Sequence, residues 1–342
     1  MDGAELRGLR LKLRFSQGGL KDELNRRLKR SYDKPKVSRW ENGREPIPED
    51  VAMEMDAMAA DRPQDASAIV LANQKGGVGK TTSALNVSYA LAHSGHRVLL
   101  IDMDPQATAT MGIFAEGAVQ AYRQGRTISN VILGTTPLTD VIASAQSPQG
   151  QPLPFDLAPS HIELAETDGK REPGFDAALR EALQPCRRTY DFVIIDAPPN
   201  LGMLTWMALA AAEDVIIPVR TEPYDTMGVG LILGSISKVQ RRLNPSLRLA
   251  GILPTQYDKR KSVDREVLAH LVTAMGEKAP VLEPIPDSAI FGHAARNGRI
   301  AVEASPTAPA ALVYIRLALA LSTGAPLPRA EVTAIDLDAV EA

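Results

Sequence analysis

The sequence predicts an open α/β sheet, mostly parallel and doubly wound, preceded by a small all-helical domain. Three observations carry that expectation. A short apolar run, Ala68–Ala72, leads into a glycine-rich octet and then a helical pattern over residues 82–92. Two more apolar runs, Val98–Ile101 and Phe192–Ile195, each stop on an aspartate. A basic, leucine-patterned stretch fills the first 44 residues. Strands that read as unbroken apolar runs are buried on both faces, as helices on both sides of a parallel sheet require.

The octet Lys75–Thr82 reads Lys-Gly-Gly-Val-Gly-Lys-Thr-Thr. Strand, glycine loop and helix in that order make it a P-loop, so the sheet is expected to be that of a P-loop NTPase. Gly76, Gly77, Val78, Gly79, Lys80, Thr81 and Thr82 would wrap a phosphate chain with inward N–H groups, and the next helix adds its positive end. Lys80 is expected on the β- and γ-phosphates and the Thr81 hydroxyl on Mg²⁺. A second lysine, Lys75, stands at the loop entrance, where its side chain can point away from its own nucleotide and reach a phosphate held by a partner. A cation supplied in trans to a transferring phosphoryl group is worth roughly 10³–10⁵ in rate.

Ligands gather at the carboxyl ends of parallel strands. Asp102 and Asp104 follow the second apolar run and Asp196 follows the third. Asp196 suits Mg²⁺ support, Asp104 suits orientation of the attacking water, and Asp102 suits support of Mg²⁺ and the loop.

Lys75–Thr82, Ile101–Gln106 and the run ending in Asp196 resemble the ParA/MinD family of deviant P-loop ATPases, over about residues 67–322. The resemblance implies ATP and Mg²⁺, a nucleotide-sandwich homodimer in which Lys75 contacts the other subunit's ATP, and hydrolysis supported by Asp104. Asp156–Ser160 with Ile162–Leu164, and Val215–Val219, resemble further family strands and a helix. Thr255–Asp258 and Ile285–Pro286 resemble the segments that enclose the adenine. The family also implies non-specific DNA binding by the ATP dimer through basic residues in the C-terminal third. Lys238, Arg241, Arg242, Lys259 and Arg260 are the candidates, forming a second DNA surface. A centromere-binding ParB-like partner would accelerate slow intrinsic turnover.

Residues 1–44 hold 13 Lys/Arg against 6 Asp/Glu, a surplus of seven, so with a whole-chain charge of −3 the rest carries −10. Such asymmetry suggests a nucleic-acid-facing module. Leu6, Leu9 and Leu13 share one helical face, and Leu20, Leu24 and Leu28 another. A third helix is expected from about Asp33, its cap, with Pro35 in the first turn and Asn42-Gly43 as its stop. Val37–Gly43 followed by Pro46 resembles the end of a Cro/repressor-type helix-turn-helix. Lys34, Lys36, Ser38 and Arg39 would then face DNA. The turn Lys29–Asp33 is about two residues longer than that family's. A helical dimerisation or partner-binding domain is the competing reading.

The expected organisation is a helix-turn-helix domain at 1–62, a linker at 63–67 within an Ala/Asp/Pro-rich stretch, Ala57–Ala68, that reads as the link between the domains, an ATPase domain at 68–323 and a mobile acidic tail at 324–342. Ala143–Pro154 reads as a surface loop. The single cysteine, Cys186, excludes an internal disulfide and suits a reducing cytoplasm. No apolar stretch resembles a signal peptide or a membrane span, and DNA binding would place the protein on the nucleoid. The acidic C-terminus argues against a MinD-like membrane helix. A nucleotide-switched transcriptional repressor and a positioning ATPase for a protein cargo share these motifs.

Overall fold

In the computed structural model, residues 1–13, 15, 17–61, 66–148, 150–169, 174–275 and 279–332 are described. Contacts divide the chain into two units, 1–64 with 319–327, and 65–318 with 328–342.

The front unit holds four helices, α1 (Gly3–Lys12), α2 (Gln17–Leu28), α3 (Lys34–Glu41) and α4 (Glu49–Asp61). Asp33 caps α3 by accepting the Lys36 N–H at 2.7 Å, and Pro35 occupies the first turn, where its missing N–H costs nothing. Gly43 ends the helix at φ 66°. Leu6, Leu13, Leu20, Leu24, Val37, Trp40, Val51, Met55 and Met58 form the core, with Leu9 and Leu28 partly buried against it. Glu41 sits at its edge as a buried hub, paired with Arg10 and accepting Gln17 Nε2 at 2.8 Å, which ties α1, α2 and α3. The long turn before α3 is held by Asn25, which donates to Tyr32 O at 2.9 Å and accepts Tyr32 N at 2.7 Å.

The larger unit continues with β1 (Ser67–Leu71), α5 (Lys80–His93), β2 (Val98–Asp102), α6 (Thr108–Arg123), α7 (Ile128–Ile132), α8 (Leu138–Val141), β3 (Ala143–Gln146) and β4 (Pro152–Ala158). Then come α9 (Ala178–Leu183), β5 (Phe192–Asp196), α10 (Met203–Ala211), β6 (Asp214–Arg220), α11 (Pro223–Arg242) and β7 (Arg248–Thr255). Four helices close it, α12 (Ser262–Met275), α13 (Ala289–Arg296), α14 (Ala301–Ala304) and α15 (Pro309–Thr323), the last of which ends among residues grouped with the front unit. The sheet has seven strands in the order β3-β4-β2-β5-β1-β6-β7. All pairs are parallel except β3 with β4. The central strands are buried throughout, which accounts for their unbroken apolar runs.

Three expectations are corrected. Ala57–Ala68 is not all linker. α4 runs to Asp61, and Ala66 N already donates to Arg187 O at 2.8 Å before β1 begins. Residues 63–65 of the expected linker lie outside the described residues. The loop expected at Ala143–Pro154 contains β3 and the start of β4, an antiparallel edge pair whose Ala-Ser-Ala-Gln sequence lacks the β-branched signal. The tail is not wholly mobile. Glu283 N donates to Pro328 O at 2.9 Å and Ala330 N to Val281 O at 3.0 Å, so residues 328–330 add to the 281–283 segment. Residues 333–342 lie outside the described residues.

Candidate nucleotide site

β1 delivers the chain to Asn73, which is buried and holds the loop entrance. Its Nδ2 donates to Pro218 O at 2.6 Å and its Oδ1 accepts Lys75 N at 3.1 Å. The loop then turns through Gly77 at φ 72° and Gly79 at φ 84°, conformations that disfavour any side chain. Val78 is buried between them, and Thr81 and Thr82 are half-buried in the first turn of α5. Lys80, also in that turn, is buried and donates from Nζ to Lys75 O at 2.9 Å. Burial lowers its pKa, with the nearby Asp196 and Asp104 opposing that shift. Lys75 is half-buried.

Register fixes the carboxylates. Asp196 is the partner of Leu71 on one side and of Asp102 on the other, so both acids end strands beside the loop. Asp102 accepts three hydrogen bonds. Its Oδ2 accepts Thr110 N at 2.9 Å and Thr110 Oγ1 at 2.7 Å, and its Oδ1 accepts Asp104 N at 3.1 Å. These bonds make Asp102 an anchor for the start of α6 and for Asp104, beside the metal support expected of it. Burial pushes its carboxyl up to about 6, against the opposing hydrogen bonds of Thr110 and Asp104. Asp104 accepts Gln106 N at 2.9 Å through Oδ1, and Ser160 Oγ donates to its carbonyl at 2.7 Å.

Asp196 is the contrast. It is buried, and neither carboxylate oxygen has a hydrogen-bond partner. Burial, then the charge of Asp102, raises its pKa well above the carboxylate range, although the Thr81 hydroxyl and Lys80 favour its charged form. A buried acid left unsatisfied next to a threonine hydroxyl is a site for a cation with oxygen ligands. Among the described residues, no group of three or more His, Cys, Asp or Glu could hold a metal unaided.

The segments expected around the base do meet. Tyr257 N donates to Ile285 O at 3.0 Å and Asp287 N to Tyr257 O at 2.9 Å, with Tyr257 bridged to Pro286. Sequence reasoning missed the inward reach of Thr255 and Gln256 to the phosphate loop, and also Asn73, Thr110 and Ser160. Only Asn73 carried a local signal, a polar residue directly after an apolar strand.

The basic candidates are dispersed. In α3, Lys34 is exposed, but Lys36 pairs with Glu45, Arg39 Nε lies 2.5 Å from Glu45, and Ser38 Oγ accepts Asn42 Nδ2 at 3.3 Å. Lys238, Arg241 and Arg242 are exposed at the end of α11, with Arg241 Nε on Ser237 O at 3.2 Å. Lys259 is exposed just past β7, and Arg260 forks onto Asp258 at 2.8 and 2.9 Å. The end of α11 precedes β7 and Lys259 follows it, so the eight residues of β7 separate the two groups by about 25 Å. The candidates for a second DNA surface thus fall in two groups beyond opposite ends of β7.

Known proteins match this site and its frame. An AAA-domain family model covers residues 66–249. The chromosome-partitioning ATPase Soj of Thermus thermophilus is 42% identical over 252 residues, 73% of this chain and 93% of that one. The chain belongs to the ParA/MinD family of P-loop partition ATPases. A second ParA-family relative, the sporulation initiation inhibitor protein Soj of Bacillus subtilis, is 33% identical over 73% of this chain and 96% of its own. A crystal structure of cobyrinic acid a,c-diamide synthase from Mycobacterium smegmatis with bound ATP analog and magnesium is 33% identical. It matches 78% of this chain and all of that one with a TM-score of 0.64.

Proposed function

We propose that the chain is an ATP- and Mg²⁺-dependent DNA-partition ATPase that cycles on and off DNA. The observation that carries the site chemistry is the unsatisfied, buried Asp196 between the phosphate loop and Asp102. Mg²⁺ bound there would neutralise charge developing on the phosphates. Thr81 and Asp196 would hold the ion, and Asp102 would steady Asp104. Lys80, released from Lys75 O, would meet the β- and γ-phosphates, and Asp104 would orient water.

ATP bridging two protomers, with Lys75 reaching the partner's phosphate, would form the DNA-binding state. A ParB-like protein would speed hydrolysis and so release. The front residues 1–62 would act as a helix-turn-helix module that can repress its own operon, ahead of an ATPase domain at 68–323. In that module Lys36 and Arg39 would exchange Glu45 for phosphates. The protein would work in the cytoplasm on the nucleoid. Among the described residues no helix is long and apolar enough to cross a membrane.

The test is DNA retention with ADP, ATP and a slowly hydrolysed analogue, on random and operator duplexes at two salt concentrations. Retention should need the triphosphate and fall steeply with salt. Lys80→Ala should lose nucleotide binding. Lys75→Ala should bind nucleotide but neither dimerise nor hydrolyse it. Normal hydrolysis by Lys75→Ala removes the trans role, and retention indifferent to nucleotide removes the cycle.

A further inference from the structure

Thr255 and Gln256 leave β7 and turn onto the back of the phosphate loop. The Thr255 hydroxyl lies 3.0 Å from Val78 O and 3.2 Å from Val219 O, and Gln256 Nε2 donates to Gly77 O at 2.9 Å. Those loop carbonyls belong to the peptide units whose N–H groups are on Gly79 and Val78. A hydrogen bond to a carbonyl polarises its own peptide N–H and strengthens it as a donor. The two side chains therefore tune the phosphate cradle from behind. Gln256 does this from φ 54°, a left-handed backbone that strains a non-glycine residue.

The strained turn leads within three residues into a cationic loop. Tyr257 N is fixed on Ile285 O, and Asp258 N donates to Asp264 Oδ2 at 2.8 Å. Asp264 is buried and also accepts the Thr221 hydroxyl at 3.0 Å. Asp258 grips Arg260, and Arg265 donates to Lys259 O at 2.9 Å. Lys259, Arg260 and Lys261 are all exposed.

We propose that Gln256 is a positioning residue that couples occupancy of the phosphate loop to the posture of the cationic turn 259–261. The idea rests on the DNA-binding reading above. A phosphate that draws the loop N–H groups forward moves the Gly77 and Val78 carbonyls with them. Gln256 follows its acceptor, and the turn follows Gln256. Coupling is reciprocal, so DNA on the turn tightens nucleotide by the same factor by which nucleotide tightens DNA.

The experiment uses the full chain, a slowly hydrolysed ATP analogue and a random duplex. Wild-type DNA affinity that ignores the analogue would sink the partition reading itself. Where wild type responds, Gln256→Met, similar in length but without a donor, should weaken analogue binding roughly two- to tenfold. It should also shrink the analogue-dependent gain in DNA affinity by a like factor, while nucleotide-free DNA binding stays unchanged. Gln256→Gly, which relaxes the backbone, should show the same loss of gain. A full gain retained by either variant overturns the proposal, whatever the analogue affinity.

Discussion

Asp102 and Asp196 are neighbouring strand ends with opposite fates, one accepting from three donors and one from none. Asp102 carries a pH consequence. Its folded pKa, pushed up to about 6, exceeds the unfolded value of roughly 3.9, so between those values the folded state holds a proton that the unfolded chain has released. Its contribution to stability without nucleotide or metal should therefore fall as pH rises from the lower value through about 6, and Asp196, raised further by burial and by the charge of Asp102, adds to the same fall. Urea midpoints measured from acid to neutral pH check this. Asp102→Asn should make that fall shallower and leave the part owed to Asp196, at lower absolute stability because an amide nitrogen cannot accept where a carboxylate oxygen did. The phosphate loop and these acids were legible because each ends an apolar run. The Thr255 contact was not, since Val78 lies 177 positions away and neither residue type marks the pairing.

Among the elements, α3 shows local signals agreeing with tertiary ones. Asp33, Pro35 and Gly43 mark its ends, while Val37 and Trp40 enter the core. Asp33→Ala removes the cap on Lys36 N and should cost about 1 kcal/mol, or roughly fivefold faster amide exchange across the first turn of α3. Asp33→Asn keeps an acceptor and should exchange like wild type, and equal rates in all three would remove the capping role. α4 was missed because its Ala/Met/Asp composition reads as linker unless Val51, Met55 and Met58 are seen as one buried stripe. β3 was missed because its strand character comes from pairing with β4 and not from its side chains.

For the whole molecule, charge asymmetry announced a basic front unit and the apolar runs announced the sheet, and both units are present. The tail was misread because its Pro/Ala-rich composition gives no sign that residues 328–330 pair with 281–283. Deleting residues 1–62 should leave ATP-induced thermal stabilisation intact and abolish any preference for operator over random duplex. Loss of the nucleotide response would make the front unit part of the ATPase fold. The division of cations between the two ends of β7 has its own outcome. A duplex running from one end of the strand to the other meets the second group about seven base pairs after the first, at 3.4 Å per step. Five-base-pair fragments should gain grip from only one patch, and affinity should step upward once the footprint is long enough to touch both.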